Sequence, residues 1–181
     1  KHSELLEGRD VLYLAYITLL NVNARYNEAL ACLENHTFHP WEGGEGKVAG
    51  EYKISVFALA EKEMAACNYE KAIKLCERSL NYPNNLGEGK LENVPDNKAY
   101  YLIGKCFEAL GDAEKSNEYF TLASNGNGEP SLVRYYNDQP SDYIYYQGLA
   151  FYELGDIFKA ENSFRKLIDF GNEHIKDKIE Y

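Results

Sequence analysis

Apolar residues recur at three- and four-residue intervals in four segments, residues 11–23, 52–66, 98–110 and 142–154, and each is followed after a polar break by a second amphipathic stretch. A period near 3.6 predicts helices whose apolar stripes turn towards their neighbours. The breaks align on one small residue: Ala29, Ala72, Ser116 and Ala160 stand 43, 44 and 44 positions apart, inside runs such as Asn68-Tyr69-Glu70-Lys71-Ala72. Two helices of a hairpin cross closely only where a side chain is small, so a small residue on a fixed beat marks a repeated helix pair. The pattern predicts an all-α fold, an α-solenoid of about four antiparallel helix pairs with long ordered loops between repeats. It predicts one domain over residues 1–181, with units of about 10–50, 51–95, 96–139 and 140–181.

The turns inside the pairs carry their own signals. Leu110-Gly111-Asp112 and Leu154-Gly155-Asp156 place a glycine where a helix ends in the left-handed conformation, then an Asp suited to cap the next helix. On this spacing the chain resembles the tetratricopeptide repeat family. Tyr100, Gly104, Phe107, Gly111, Ser116, Phe120 and Ala123 match its consensus positions, as do Gly148, Phe151, Gly155, Ala160 and Phe164 in the fourth unit and Ala60, Ala72 and Pro83 in the second. The first unit keeps Tyr16, Leu20, Ala29 and Leu33 but has Ile17 where the family has a small residue, which predicts irregular packing or a capping role.

A repeat of that family is about 34 residues long, so each unit here carries roughly ten more between its second helix and the next pair. The extra residues repeat as well. Pro40-Trp41-Glu42-Gly43-Gly44-Glu45-Gly46-Lys47-Val48 and Pro83-Asn84-Asn85-Leu86-Gly87-Glu88-Gly89-Lys90-Leu91 share Pro, Gly-Glu-Gly-Lys and an aliphatic residue at an offset of 43, whereas the third connection keeps only Gly128-Glu129-Pro130. The stretch from His39 to Lys47 resembles the tetratricopeptide tail of large bacterial proteins of poorly defined function, in which the tail follows β-rich domains similar to those of carbohydrate-active enzymes.

Gly-Glu-Gly-Lys is not a complete phosphate-binding loop. Val48 and Leu91 follow the lysines, where a metal-holding Ser or Thr would be required, and no buried strand precedes either loop. Trp41, Gly44, Glu45, Gly46, Lys47, Gly87, Glu88, Gly89 and Lys90 are therefore expected to be structural. The glycines would permit tight turns, Glu45 and Glu88 would bond to nearby amides or Lys, and Val48 and Leu91 would anchor the loops. His36, His39, Glu42 and Glu45 lie close in sequence, but His-x-x-His lacks the spacing of a helical metal pair and the second loop has neither histidine. No metal, cofactor or catalytic residue is assigned, and carboxylate pairs such as Glu61 with Glu63 are expected by chance in so acidic a chain. The fragment is expected not to be an enzyme.

A net charge of −10 argues against nucleic acid as the main partner. The longest apolar run, residues 11–20, is broken by Tyr13, Tyr16 and Thr18 and falls short of the roughly 20 residues that span a bilayer, so no membrane segment is expected. Lys1-His2-Ser3-Glu4 contains no signal-peptide pattern, and a start without Met together with the end at Tyr181 reads as a fragment of a larger protein. Residues from Ile175 onward are expected either to end the domain or to begin a further helix. Cys32, Cys67, Cys76 and Cys106 sit in apolar helical patterns without Cys-x-x-Cys spacing, which fits a reducing, cytoplasmic setting.

Sixteen tyrosines are the remaining excess. Spacing assigns Tyr69, Tyr100 and Tyr119 to packing between repeat units, and Tyr135-Tyr136 and Tyr143 belong to the same excess. The resemblance implies a concave face built from fixed positions of each first helix, here Thr18, Asn21, Phe57, Glu61, Lys98, Tyr101, Lys105, Tyr145, Tyr146 and Tyr152. A carboxylate clamp of the chaperone-binding subclass would need more than Lys98, because Leu14, Thr18, Ala58 and Leu102 hold its other positions. The expected partners are a protein or peptide, an upstream domain of the parent protein, or a second copy of the chain. Carbohydrate stacking on Trp41 or on groove tyrosines, and a purely architectural role, are the alternatives.

Overall fold

A computed structural model describes residues 8–134 and 138–177. Among these residues there are eight α-helices and no strand: α1 (Asp10–Val22), α2 (Tyr26–Asn35), α3 (Lys47–Ala65), α4 (Tyr69–Leu80), α5 (Asn97–Ala109), α6 (Ala113–Ser124), α7 (Tyr143–Glu153) and α8 (Ile157–His174). One 3-10 turn, Asn84–Leu86, interrupts the second connection. The chain divides into two compact units, Lys1–Val94 and Pro95–Tyr181, each holding two helical hairpins. The fold is an all-α helical repeat of the solenoid class. Tyr135 and Tyr136 lie outside the described residues. So does most of the tail after Ile175, where Ile175 and Lys176 form a turn.

Each hairpin crosses at its small residue. Ala29, Ala72 and Ala160 are at most 1% exposed and Ser116 is 4% exposed, which leaves no room for a larger side chain between the paired helices. One turn away, the first helix meets the second through a size-matched pair. A Cβ added at Gly104 would lie 2.7 Å from the ring of Phe120, and one at Gly148 would lie 2.5 Å from Phe164. At the same repeat positions the first unit has Ile17 with Leu33 and Ala60 with Cys76, all four fully buried. Glycine is matched by phenylalanine in the second unit, but the first follows no single volume rule, since the larger Ile17 goes with the larger Leu33 and the smaller Ala60 with the smaller Cys76.

The hairpin turns also share one geometry. Ala24, Cys67, Gly111 and Gly155 occupy equivalent positions and all have positive φ, 57°, 59°, 79° and 81°. In the second unit the following Asp112 and Asp156 accept hydrogen bonds from the Lys115 and Lys159 amides at 3.1 Å, satisfying a free donor at each helix start. The same two lysines reach back with Nζ, 3.3 and 2.8 Å from the carboxylates. These bonds hold both Asp carboxyls below the usual carboxylate range, through the Lys115 amide first at Asp112 and the Lys159 side chain first at Asp156. Arg25 and Asn68, the corresponding residues of the first unit, make no side-chain cap bond.

The sequence placed the start of the third helix at residue 52; it begins at Lys47. Gly46 (φ 73°) is its N-cap, so the Gly-Glu-Gly-Lys segment runs directly into the helix instead of remaining a loop. The second copy of that segment behaves differently: Lys90 stays in the connection and α5 does not begin until Asn97.

Candidate functional site

Two surfaces gather the residues singled out in the sequence, one in each unit. In the second unit, α5 and α7 present Lys98, Tyr101 and Lys105 beside Tyr145, Tyr146 and Tyr152. The rings of Tyr101 and Tyr146 are 6.0 Å apart, Tyr145 meets Tyr146 edge-on at 5.4 Å, and Lys98 Nζ stands 5.7 Å from the Tyr146 ring centre. Tyr101 also rests on Phe120 at 5.8 Å, and Tyr145 on Phe164. Tyr100 and Tyr119, expected to pack between repeats, meet each other within one hairpin, 6.3 Å apart, and Tyr119 also stacks on Phe107 of the same hairpin.

The residue that organises this face, Glu153 near the end of α7, was not among the candidates. Its Oε1 accepts from Lys105 Nζ at 3.1 Å and from the Tyr101 hydroxyl at 3.4 Å, while Lys105 also pairs with Glu108. Burial, and then the Glu153 charge, push the Tyr101 phenol up to about 12. For Lys105 burial works against the charge, but the bonds to Glu108 and Glu153 outweigh it and raise the ammonium above its usual range. Tyr152 (59% exposed) and Tyr145 (48%) remain open to solvent. The face thus combines a fixed ionic pair with accessible rings.

The corresponding face of the first unit is closed on itself. Thr18 Oγ1 donates to Glu51 Oε1 at 2.7 Å, Asn21 Nδ2 donates to Glu51 Oε2 at 2.7 Å, and Ser55 Oγ donates to Asn21 Oδ1 at 2.8 Å. These bonds join α1 to α3. Asn21 is 5% and Phe57 6% exposed, so both belong to the packing rather than to a contact surface; Glu61 is exposed.

The duplicated loops come together in this unit as a clasp. Glu88, from the second copy, accepts from the Gly46 amide at 2.7 Å and the Ala49 amide at 3.1 Å, capping α3 with a carboxylate from 42 positions downstream. Asn85 Nδ2 donates to the Leu33 and His36 carbonyls, both at 2.7 Å, closing the C-terminal end of α2, and its own carbonyl accepts the Phe38 amide. Lys90 Nζ donates to the Leu80 carbonyl at the end of α4. Gly87 (φ 78°) passes so close to Phe38 that a Cβ there would lie 2.5 Å from its carbonyl oxygen. In the first copy Gly44 lies flat beneath the Trp41 indole, where a Cβ would be 2.2 Å from the ring.

The two copies therefore have different tasks. Glu45 and Lys47 are exposed and, among the described residues, make no side-chain hydrogen bond or ion pair, whereas Glu88 and Lys90 both cap helix ends. Gly89 is exposed. Val48 is buried as an anchor, but Leu91, expected to match it, is 48% exposed because the second copy turns away before reaching a helix. Between the copies lies a cleft of about 280 Å3 lined by His39, Pro40, Trp41, Glu42, Gly44, Glu45, Val48, Leu86, Gly87 and Glu88.

His36 and His39 both turn to Asp10 at the start of α1, with Nε2 of His36 at 2.7 Å and the amide and Nδ1 of His39 at 2.8 and 3.2 Å. Burial raises the Asp10 carboxyl, but the bonds from His36 and His39 outweigh it and bring it below the ordinary value. Among the described residues no three His, Cys, Asp or Glu side chains are grouped to hold a metal ion, and no helix is long and apolar enough to cross a membrane.

A comparison with protein families agrees with the geometry of the second unit. The tetratricopeptide repeat model matches residues 98–122 and 142–169, which cover α5 with most of α6 and α7 with most of α8. Both matched segments contain the Gly–Phe crossing, and both contain the Gly-Asp turn. The two helical hairpins of the second unit are thus the part of the chain that is similar to tetratricopeptide repeats.

Proposed function

We propose that the chain is a protein-interaction module, and that the α5/α7 face of its second unit docks a peptide or partner domain. Tetratricopeptide repeats as a class mediate protein association and assembly. The observation that carries the assignment to this face is the exposure of Tyr145 and Tyr152 beside the fixed Lys105–Glu153 pair. Aromatic rings held by neighbouring rings supply contact area at little ordering cost, and the ionic pair sets the register of a polar partner. The role is binding rather than catalysis. The four free thiols support action in a reducing, cytoplasmic compartment, and the loop resemblance supports a place beside another domain of a longer bacterial protein.

The test is selection of peptides from a random display library, followed by calorimetry with the wild type and with Tyr145→Ala/Tyr152→Ala. Tyr101 is left in place because its removal would empty the space above Phe120. A loss of at least about tenfold in affinity, the weight of one hot-spot residue, is the expected result with helicity unchanged. Equal affinity for both proteins would leave the face without a binding role and favour an architectural one.

A further inference from the structure

The cleft between the two loop copies has a lining that the α5/α7 face does not explain. It is lined by the Trp41 indole, seated on Gly44, and by Pro40, Val48 and Leu86. Glu42, Glu45 and Glu88 surround these apolar groups, and no Lys or Arg is among the lining residues. Glu88 is engaged with the Gly46 and Ala49 amides, but Glu42 and Glu45 are exposed and, among the described residues, make no hydrogen bond or ion pair. Two exposed carboxylates three positions apart thus line a cleft that also holds an indole, on a chain of net charge −10.

A bare metal ion does not suit this arrangement, because among the described residues no three His, Cys, Asp or Glu side chains are grouped to hold one. A volume of about 280 Å3 is at or below the lower end of small-molecule sites and suits a single long side chain. We propose that the cleft binds an arginine side chain of a partner polypeptide. Its methylene stem would lie along Leu86, Val48 and Pro40, its guanidinium plane would meet the Trp41 ring, and its N–H groups would donate to Glu42 and Glu45. The walls are fixed before binding: Gly44 holds the indole, the positive-φ turn at Gly87 packs on Phe38, and Glu88 is tied to α3. Little ordering entropy is therefore lost on association. This site is independent of the face proposed above, and either can fail without the other.

Trp41 is the single tryptophan of the chain, so its emission reports on the cleft alone. The probe is the blocked tripeptide acetyl-Gly-Arg-Gly-amide, with its citrulline counterpart as an uncharged control of the same shape. A saturable change in Trp41 emission is expected with the arginine peptide. It should weaken at least about tenfold with the citrulline peptide and in Glu42→Gln/Glu45→Gln, the loss of one charge-assisted contact. Among the described residues those carboxylates hold nothing else, and unchanged circular dichroism confirms that the variant is folded. No saturable change, equal binding of the two peptides, or undiminished binding by the double variant overturns the proposal. A response to a neutral oligosaccharide but not to the arginine peptide also overturns it and assigns the cleft to sugar stacking.

Discussion

The first and second units build the same pair of hairpins in opposite ways. In the second, each turn is closed locally by Gly111-Asp112 or Gly155-Asp156, with the glycine in the left-handed conformation and the Asp capping the next helix. In the first, Ala24 and Cys67 adopt the same left-handed conformation without the freedom of glycine, and Arg25 and Asn68 provide no cap bond. In the connections of the first unit Asn85, Glu88 and Lys90 close three helix ends from a single loop, while in the second Asn97 closes the end of α6. The three are the end of α2, the start of α3 and the end of α4, not the starts of α2 and α4 that the turns leave without a cap bond.

The largest expected effect breaks this contrast at the clasp. Gly87→Ala places a methyl against the Phe38 carbonyl at a left-handed position, and should destabilise the first unit by about 3 kcal/mol, measured by urea denaturation. Hydrogen exchange should show the loss in α2 and α3, with the second unit's amides unaffected. Next in size are the turns. Gly111→Ala should cost about 1 kcal/mol, whereas the equivalent Cys67→Gly should stabilise by up to about 1 kcal/mol, because glycine removes a steric penalty that exceeds its own entropy cost. Equal and same-signed effects at both positions would show that the turns are not equivalent.

Much of the fold was legible because its signals are local or periodic: the beat of Ala29, Ala72, Ser116 and Ala160, and the Gly-Asp turns, each lie within a few residues of what they determine. The start of α3 was not legible. Gly-Glu-Gly-Lys reads as a loop, and the carboxylate that lets a helix begin at Lys47 is Glu88, distant in sequence. The same limit applies to the candidate surface. Thr18 and Asn21 fall on the expected face, but Glu51 draws them into the α1–α3 packing, and nothing near them in sequence announces that partner. Glu153 was missed for the converse reason, since its importance comes from Lys105 and Tyr101 on another helix. Tyr101, Tyr145 and Tyr146 were placed on one face because the family resemblance assigns that face fixed first-helix positions, with Tyr101 and Tyr145 equivalent at an offset of 44.

The smallest expected effect is confined to alkaline solution and sharpens the comparison from the second unit's side. The Tyr101 phenol ionises near 10 when unfolded and near 12 in the folded unit, so its contribution to stability is complete below pH 10 and is lost as pH rises towards 12. Tyr101→Phe keeps the ring on Phe120 and should flatten the decline in urea midpoint over that range. An unchanged decline would place its cause at other tyrosines.

The exchange rates of the Gly46 and Ala49 amides test most directly whether the downstream loop holds the first unit together. Amides at the start of a helix normally exchange fast, because the helix itself gives them no acceptor. Bonded to Glu88, they should be protected in the wild type and exchange freely in Glu88→Ala, while the amides of α5 to α8 remain unchanged. Fast exchange of both amides in the wild type, or protection that survives the substitution, would contradict the clasp.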